Sequence, residues 1–336
     1  MQRTGAWLLL LALVAAAAVP LALGGGEGFI AALRLPARAH VAIIALVFAS
    51  FALRTVKQNL LMRRLQLRAA AWHVLAMSQA TELAFLATPG GIGGYAAGIF
   101  YLRRSGASYA AATAICAADQ FLDLAFFVLA MPVALLFLVD APEIGWLRGI
   151  VRAGAALGAI VLAGAWLLRK PVARWLFGRN GPIERLPWLR RRSAALRDFL
   201  ANLRAQVGML FKAPPGWSAL LFLATTGQWI TRYGVLWLVL RLLEHPAPFG
   251  LLFLLQGIVL HAAQWTGAPA GAGGADIGLA AALAPFAPAG VIAAALLLWR
   301  FATLHLALIA GVVSAVALRD AQVEDAPART ADEPVA

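Results

Sequence analysis

Apolar stretches of membrane-spanning length recur from one end of this chain to the other, and that recurrence restricts the fold more than any other feature. A bilayer core of about 30 Å offers no water to backbone amides, so only helices or closed barrels can cross it. A barrel strand alternates with period two. The runs here do not alternate, so the chain is read as an all-α, polytopic integral membrane protein. Composition agrees: of 336 residues, 62% are hydrophobic and 13% charged, and the mean hydropathy is +0.81. The net charge of +13 does not point to nucleic acid, because the cations lie between apolar runs, where the positive-inside rule accounts for them. Cys116 is the sole cysteine, so neither an intrachain disulfide nor a cysteine metal cluster can form.

Two stretches break helices where helices should continue. Pro89 to Gly98 reads PGGIGGYAAG, and Pro269 to Gly278 reads PAGAGGADIG. Pro89, Gly91, Gly93, Gly94 and Gly98 reappear as Pro269, Gly271, Gly273, Gly274 and Gly278, every pair at the same offset along the chain and without a gap. Proline removes a backbone donor and glycine weakens a helix. Paired interruptions in two halves of a membrane protein mark the substrate site of many transporters. The plainer alternative is small-residue packing, since Gly90, Gly94 and Gly98 also read as tandem GxxxG.

Loop charge sets the expected topology. Residues 7–24 read as an uncleaved first span rather than a signal peptide, and 40–53 as a second. RTVKQNLLMRRLQLR, residues 54–68, carries cations only and reads as cytoplasmic. Residues 70–88 lead into the first break, and a short helix runs on to Arg103 and Arg104. Spans at 107–138 and 150–168 flank an outer loop with Asp140 and Glu143. Residues 169–215 hold eleven Lys/Arg against Glu184 and Asp198, net +9, and are strongly cytoplasmic. Within them Leu196, Phe199, Leu200, Leu203, Val207, Leu210 and Phe211 form one helical stripe, which fits an interfacial helix or a helix packed on the bundle. Spans follow at 216–240 and 288–318, separated by the second break.

The expected architecture is thus one transmembrane domain, 1–318, with about six spans and two broken, re-entrant-like hairpins. Repeat 1 covers about 40–168 and repeat 2 about 216–318; three spans between the hairpins make the repeats inverted. Both termini lie in the cytoplasm, and 319–336 form a disordered acidic tail.

A charge at the bilayer centre costs about 2.5–3.5 kcal/mol on insertion scales, so charges within spans are candidates for function. Glu82, Asp119, Asp123 and Asp276 supply carboxylates, Arg232 and Arg300 supply cations, and His261 and His305 can carry protons. Asp119 and Asp123 share one helix face. The acidic residues and His261 are candidates for charge relay or ion pairing. The short helices after the breaks begin with free N–H groups, which suit phosphate. Pro89, Gly91, Gly93, Gly94, Pro269, Gly271, Gly273 and Gly274, with Arg232 and Arg300, are therefore the candidate headgroup site. No Walker A, HExxH, GxSxG or metal-spaced histidine pair occurs. No catalytic residue, metal or cofactor is assigned, and the chain is not expected to be an enzyme.

TPGGIGGYAAGIFYLRRSGASYAAATAICAADQFLDL (88–124), APAGAGGADIGLAAAL (268–283) and LLLWRFATLHLALIAG (296–311) together resemble the lysylphosphatidylglycerol synthase transmembrane region, a flippase-like family. The resemblance extends over roughly residues 40–318. It implies a lipid-translocating or lipid-pathway protein of the bacterial inner membrane. The amino-acid-transferring domain of the two-domain synthases is not expected here. By resemblance, Arg300 fits the basic position of the second half, Asp119 and Asp123 the acidic positions of the first, and Asp276 the acidic position after the second glycine run. At the offset that relates the two breaks, Gln120 is the counterpart of Arg300 and stands where the family's arginine would be; Ala96 is the counterpart of Asp276. The expected function is movement or binding of a membrane phospholipid or other anionic lipid between leaflets. The alternatives are a non-transporting membrane partner of a lipid-modifying enzyme, and a membrane-embedded transferase.

Overall fold

In the computed structural model, residues 26–136, 187–264 and 266–324 are described, with scattered helical positions within 14–22 and 149–171. The first span, the outer loop with Asp140 and Glu143, most of the span at 150–168, the side chains of Arg190, Arg191 and Arg192, and most of the acidic tail lie outside the described residues.

Helices make up the described structure, and no strand occurs among those residues. After a helical stretch at 26–34, α1 (Ala37–Arg64) starts behind Pro36, and α2 (Ala71–Ala87) leads to the first break. Past the break, α3 (Ile92–Arg104) and α4 (Tyr109–Leu136) follow. Then come α5 (Pro187–Phe211), α6 (Pro215–Leu242) and α7 (Phe249–Gln264), which enters the second break. The chain closes with α8 (Gly274–Leu283), α9 (Ala289–Arg300), a π turn (Phe301–His305) and α10 (Leu306–Glu324). Proline opens α5 and α6 and stands just before α1 and α9, positions that need no amide donor.

Among the described residues, three stretches are long and apolar enough to cross a membrane: Ala37–Arg64, Tyr109–Leu135 and Ala289–Arg319. They become four if Asp198–Phe211 and Pro215–Leu242, bent by 91° at their junction, count as one broken span. The helices of the two hairpins have 17, 13, 16 and 10 residues, all short of the ~20 a perpendicular span needs.

The constant offset extends beyond the glycines. It carries α1 onto α6, α2 onto α7, break onto break, α3 onto α8, and α4 onto α9, the π turn and the start of α10. The breaks share a conformation as well: each is a 3₁₀ turn opened by proline, with two left-handed residues behind it. Gly90 (φ 60°) matches Ala270 (φ 53°), and Gly91 (φ 72°) matches Gly271 (φ 61°). Ala270 holds a conformation that costs an L-residue about 1–2 kcal/mol.

Packing follows the same exchange. α1 packs on α6, and the two breaks touch each other. α2 contacts the second break while α7 contacts the first; α2 packs on α10 while α7 packs on α4. Each of these contacts between halves is answered by its counterpart.

One sequence boundary moves. The sequence reading ends the second span at residue 53, with the cationic stretch from residue 54 beyond it. Instead α1 runs unbroken through Arg64, and the Lys57 side chain is 1% exposed. No glycine or proline interrupts residues 54–64, and Ser50, Lys57 and Leu61 share the buried face. The stripe of α5 packs inward, with Leu203, Val207 and Leu210 against a core shared with α1, α2 and α4. Arg64 Nε donates to the Met209 carbonyl at 3.0 Å, and Phe211 meets Phe121 edge to face at 5.2 Å.

Candidate functional site

The two breaks and most of the intramembrane charges surround one cavity of about 390 Å³. Gly90 and Gly91 come from the first break and Ala270 and Gly271 from the second. Arg54, Arg232 and Arg300 supply positive charge to the wall, and Glu82 and Asp123 negative charge. Other polar groups line it as well: Tyr95, His261, Gln120, Gln228, Gln256, Gln264 and Thr303.

Glu82, from α2, sits between two guanidiniums. Arg54 donates to its Oε2, and Arg232 Nη2 lies 2.8 Å from its Oε1. Two cations on one carboxylate leave an excess of positive charge. The Arg232 side chain is 24% exposed against 12% for Arg54, so it offers the cavity the more accessible cation. Its guanidinium carbon lies 5.8 Å from the Trp229 ring centroid.

A second cluster stands beside the first. Lys57 Nζ lies 2.6 Å from Asp119 Oδ1 and 2.8 Å from Asp123 Oδ1, so one lysine serves two carboxylates on successive turns of α4. Trp229 Nε1 also donates to Asp123 Oδ1, at 2.9 Å. Trp229 therefore links the two clusters. Asp123 reaches the cavity wall; Lys57 and Asp119 lie behind it.

Arg300 is held differently. Its Nε and Nη2 donate to Asp276 Oδ1 and Oδ2 at 2.5 and 2.9 Å, a bidentate pair buried on both sides. Asp276 Oδ2 also accepts the Gly273 amide at 3.0 Å, and Arg300 Nη1 reaches the Ala270 carbonyl at 3.4 Å. The pair fastens the start of α8 and the second break to α9. The π turn follows at once, and His305 Nδ1 lies 3.1 Å from the Arg300 carbonyl.

Among the described residues, the oxygens of Gln79, Gln228 and Gln256 are buried without partners, and the last two glutamines line the cavity. Gln256 Nε2 donates to the carbonyls of Tyr233 and Leu252 at 2.9 and 3.2 Å, which fixes the amide orientation and leaves Oε1 unpaired and buried. Gln228 Oε1 is likewise unpaired. His261 Nδ1 lies 2.6 Å from the Gly257 carbonyl, and its ring meets Phe127 at 5.0 Å.

Of the residues singled out in the sequence, Glu82, Asp123, Arg232, His261, Arg300, Gly91 and Gly271 meet at the cavity. Pro89, Gly93, Gly94, Pro269, Gly273, Gly274, Asp119 and Asp276 stand outside its lining. Several of those glycines sit at close approaches. A Cβ on Gly94 would fall 2.2 Å from the Phe85 ring, and one on Gly93 2.5 Å from the Thr88 methyl. A Cβ on Gly274 would meet Thr266 at an ordinary 3.5 Å. The sequence reading missed Arg54 and Lys57 as site residues, because their neighbours made them look like loop cations. The signal was present in the helical spacing of Ser50, Lys57 and Leu61. Gln120 and Arg300, counterparts in the two halves, both line the cavity, and Gln120 accepts the Tyr95 hydroxyl at 3.1 Å.

Comparison with curated proteins finds no match. The family model of the lysylphosphatidylglycerol synthase TM region matches residues 5–311, nearly the whole membrane part. The chain therefore belongs to the lysylphosphatidylglycerol synthase TM region family, a family of membrane domains.

Proposed function

We propose that this protein binds the headgroup of an anionic amphipathic lipid in the cavity between the two breaks and carries it between leaflets. The observation that carries this reading is the joint lining of one cavity by both breaks and by Arg54, Arg232 and Arg300. A transporter needs its ligand at the meeting point of its halves, near the membrane midplane.

Helix lengths support that depth. Glu82 lies 11 residues into α2, Asp123 14 into α4 and Arg300 11 into α9, or about 16–21 Å at 1.5 Å per residue. The fold we propose has about six spans and two re-entrant hairpins, short arms favouring re-entry over crossing. The hairpins open to opposite sides, so the repeats are inverted. The reciprocal contacts support this, because a two-fold axis in the membrane plane exchanges halves of opposite orientation. Cations at Arg63, Arg64, Arg103 and Arg104 support a cytoplasmic position for those helix ends and for both termini, in a bacterial inner membrane.

Within this account Arg232 is the main headgroup cation, with Arg54 beside it. Arg300 shapes the site by holding the second break. The protein acts as a carrier, without covalent chemistry.

One observation favours a second reading. α5 has exposed Arg204, exposed Lys212 follows its end, and the helix is bent 91° from α6, so it suits the anionic cytoplasmic surface and a lipid-modifying enzyme working there. Native mass spectrometry of the purified protein separates the two. The carrier reading expects anionic phospholipid bound to wild type and lost from Arg232→Gln. Equal lipid on both proteins would favour the non-transporting partner.

A further inference from the structure

The paired charges inside the bundle are balanced. Arg54, Lys57, Arg232 and Arg300 face Glu82, Asp119, Asp123 and Asp276, four cations against four carboxylates among the described residues. An anionic headgroup adds a charge to a neutral, desolvated set. At this depth an uncompensated charge is costly, and proton uptake is the usual relief. We propose that headgroup binding is coupled to the uptake of one proton by the Asp119–Asp123 pair, which makes this a lipid-and-proton site. The inference rests on the anionic-lipid reading given above.

The pair is suited to the task. Two carboxylates share one lysine, so their cluster already carries an excess of one negative charge. Asp123 stands at the cavity wall, where the headgroup arrives. Among the described residues, no spare cation stands beside it. Lys57 is divided between the two aspartates, and Arg54 and Arg232 are engaged with Glu82 until a phosphate competes for them. Trp229 contributes a neutral donor from α6. Tyr233 on α6, Tyr95 on α3 and Cys116 on α4 are the other titratable groups near the pair. His261, from α7, lines the same cavity and is the competing proton acceptor there. The unpaired oxygens of Gln228 and Gln256 show that the wall has acceptors awaiting donors.

The balance is simple. One proton leaves the aqueous phase and bonds to a carboxylate oxygen of the pair; no covalent bond breaks. Lys57 stays with the remaining carboxylate, and the bound set returns to neutrality. Because the bound state holds the extra proton, affinity rises as pH falls.

The test is calorimetric titration of short-chain phosphatidylglycerol into the full chain in neutral detergent, in bis-Tris and in Tris at one pH. The two buffers differ in ionisation heat, so the difference in observed heat counts protons. We expect about one proton taken up per lipid, and an affinity that weakens about tenfold per pH unit in the linked range. Asp123→Asn, and separately Asp119→Asn, should bind with the pH dependence gone, while His261→Gln should keep it. Binding by wild type with no proton uptake overturns the coupling alone, and needs no variant to fold. Uptake that persists in both Asn variants and vanishes in His261→Gln overturns the assignment to the pair. No binding at all sinks the anionic-lipid reading first, and the coupling with it.

Discussion

Arg232 Nη2 lies 2.8 Å from Glu82 Oε1, which ties α6 of one half to the first hairpin of the other. Arg54 completes the arrangement from α1, so removing Glu82 leaves two guanidiniums facing each other at the cavity wall. Glu82→Gln should therefore bind an anionic headgroup more tightly than wild type in protein that folds, by about tenfold for a charge interaction of about 1.4 kcal/mol. Fluorescence titration with phosphatidylglycerol in detergent checks the sign; weaker binding would mean that Glu82 itself touches the ligand.

Lys57 should be worth more to stability than any other cation in the bundle. Breaking a buried pair costs about 3–5 kcal/mol because the partner charge is left uncompensated, and here two carboxylates are left. Lys57→Met should lower the thermal unfolding midpoint strongly, and adding Asp119→Asn with Asp123→Asn should restore most of it. Static light scattering on heating reads this, and no recovery in the triple variant would show that the loss lies in packing.

The breaks should respond unequally to substitution. Ala270 holds φ 53°, so Ala270→Gly should be neutral or stabilise by up to about 1 kcal/mol. Gly90→Ala meets nothing within 4 Å and is opposed only by φ 60°, costing about 1–2 kcal/mol. Gly94→Val drives a side chain into Phe85, and overpacking of this kind costs about 1–3 kcal/mol or more. Phe85→Ala should relieve part of that loss; if it does not, the Phe85 ring is not the obstacle.

Topology is read with single cysteines after replacing Cys116. Arg63→Cys and Arg104→Cys should label from the cytoplasm only, and Glu244→Cys from the opposite side only. Labelling of Arg104→Cys and Glu244→Cys from one side would end the inverted arrangement.

Much of the fold was written in local chemistry. Proline, glycine and apolar run length act within a few residues, so the breaks, their constant offset and the helices around them could be read directly. The family followed from the same stretches, and the matched region confirms it. The ion pairs could not be read, because they join distant parts of the chain, such as Glu82 with Arg232, and charge alone does not choose a partner. Arg54 and Lys57 show the limit most clearly. A run of cations looks like a loop until the helix carrying it is seen to continue. Gly94 shows it from the other side: a glycine that invites close approach does not say what approaches, and here it is Phe85.

The central claim is that the cavity between the breaks carries an anionic headgroup across the membrane. Leaflet exchange of a fluorescent phosphatidylglycerol in proteoliposomes tests it most directly, with dithionite quenching the outer leaflet. Wild type should expose the inner-leaflet probe far faster than empty vesicles do. Arg232→Gln, folded by size exclusion and thermal unfolding, should fall to the empty-vesicle rate. Exchange by Arg232→Gln at the wild-type rate would contradict the account.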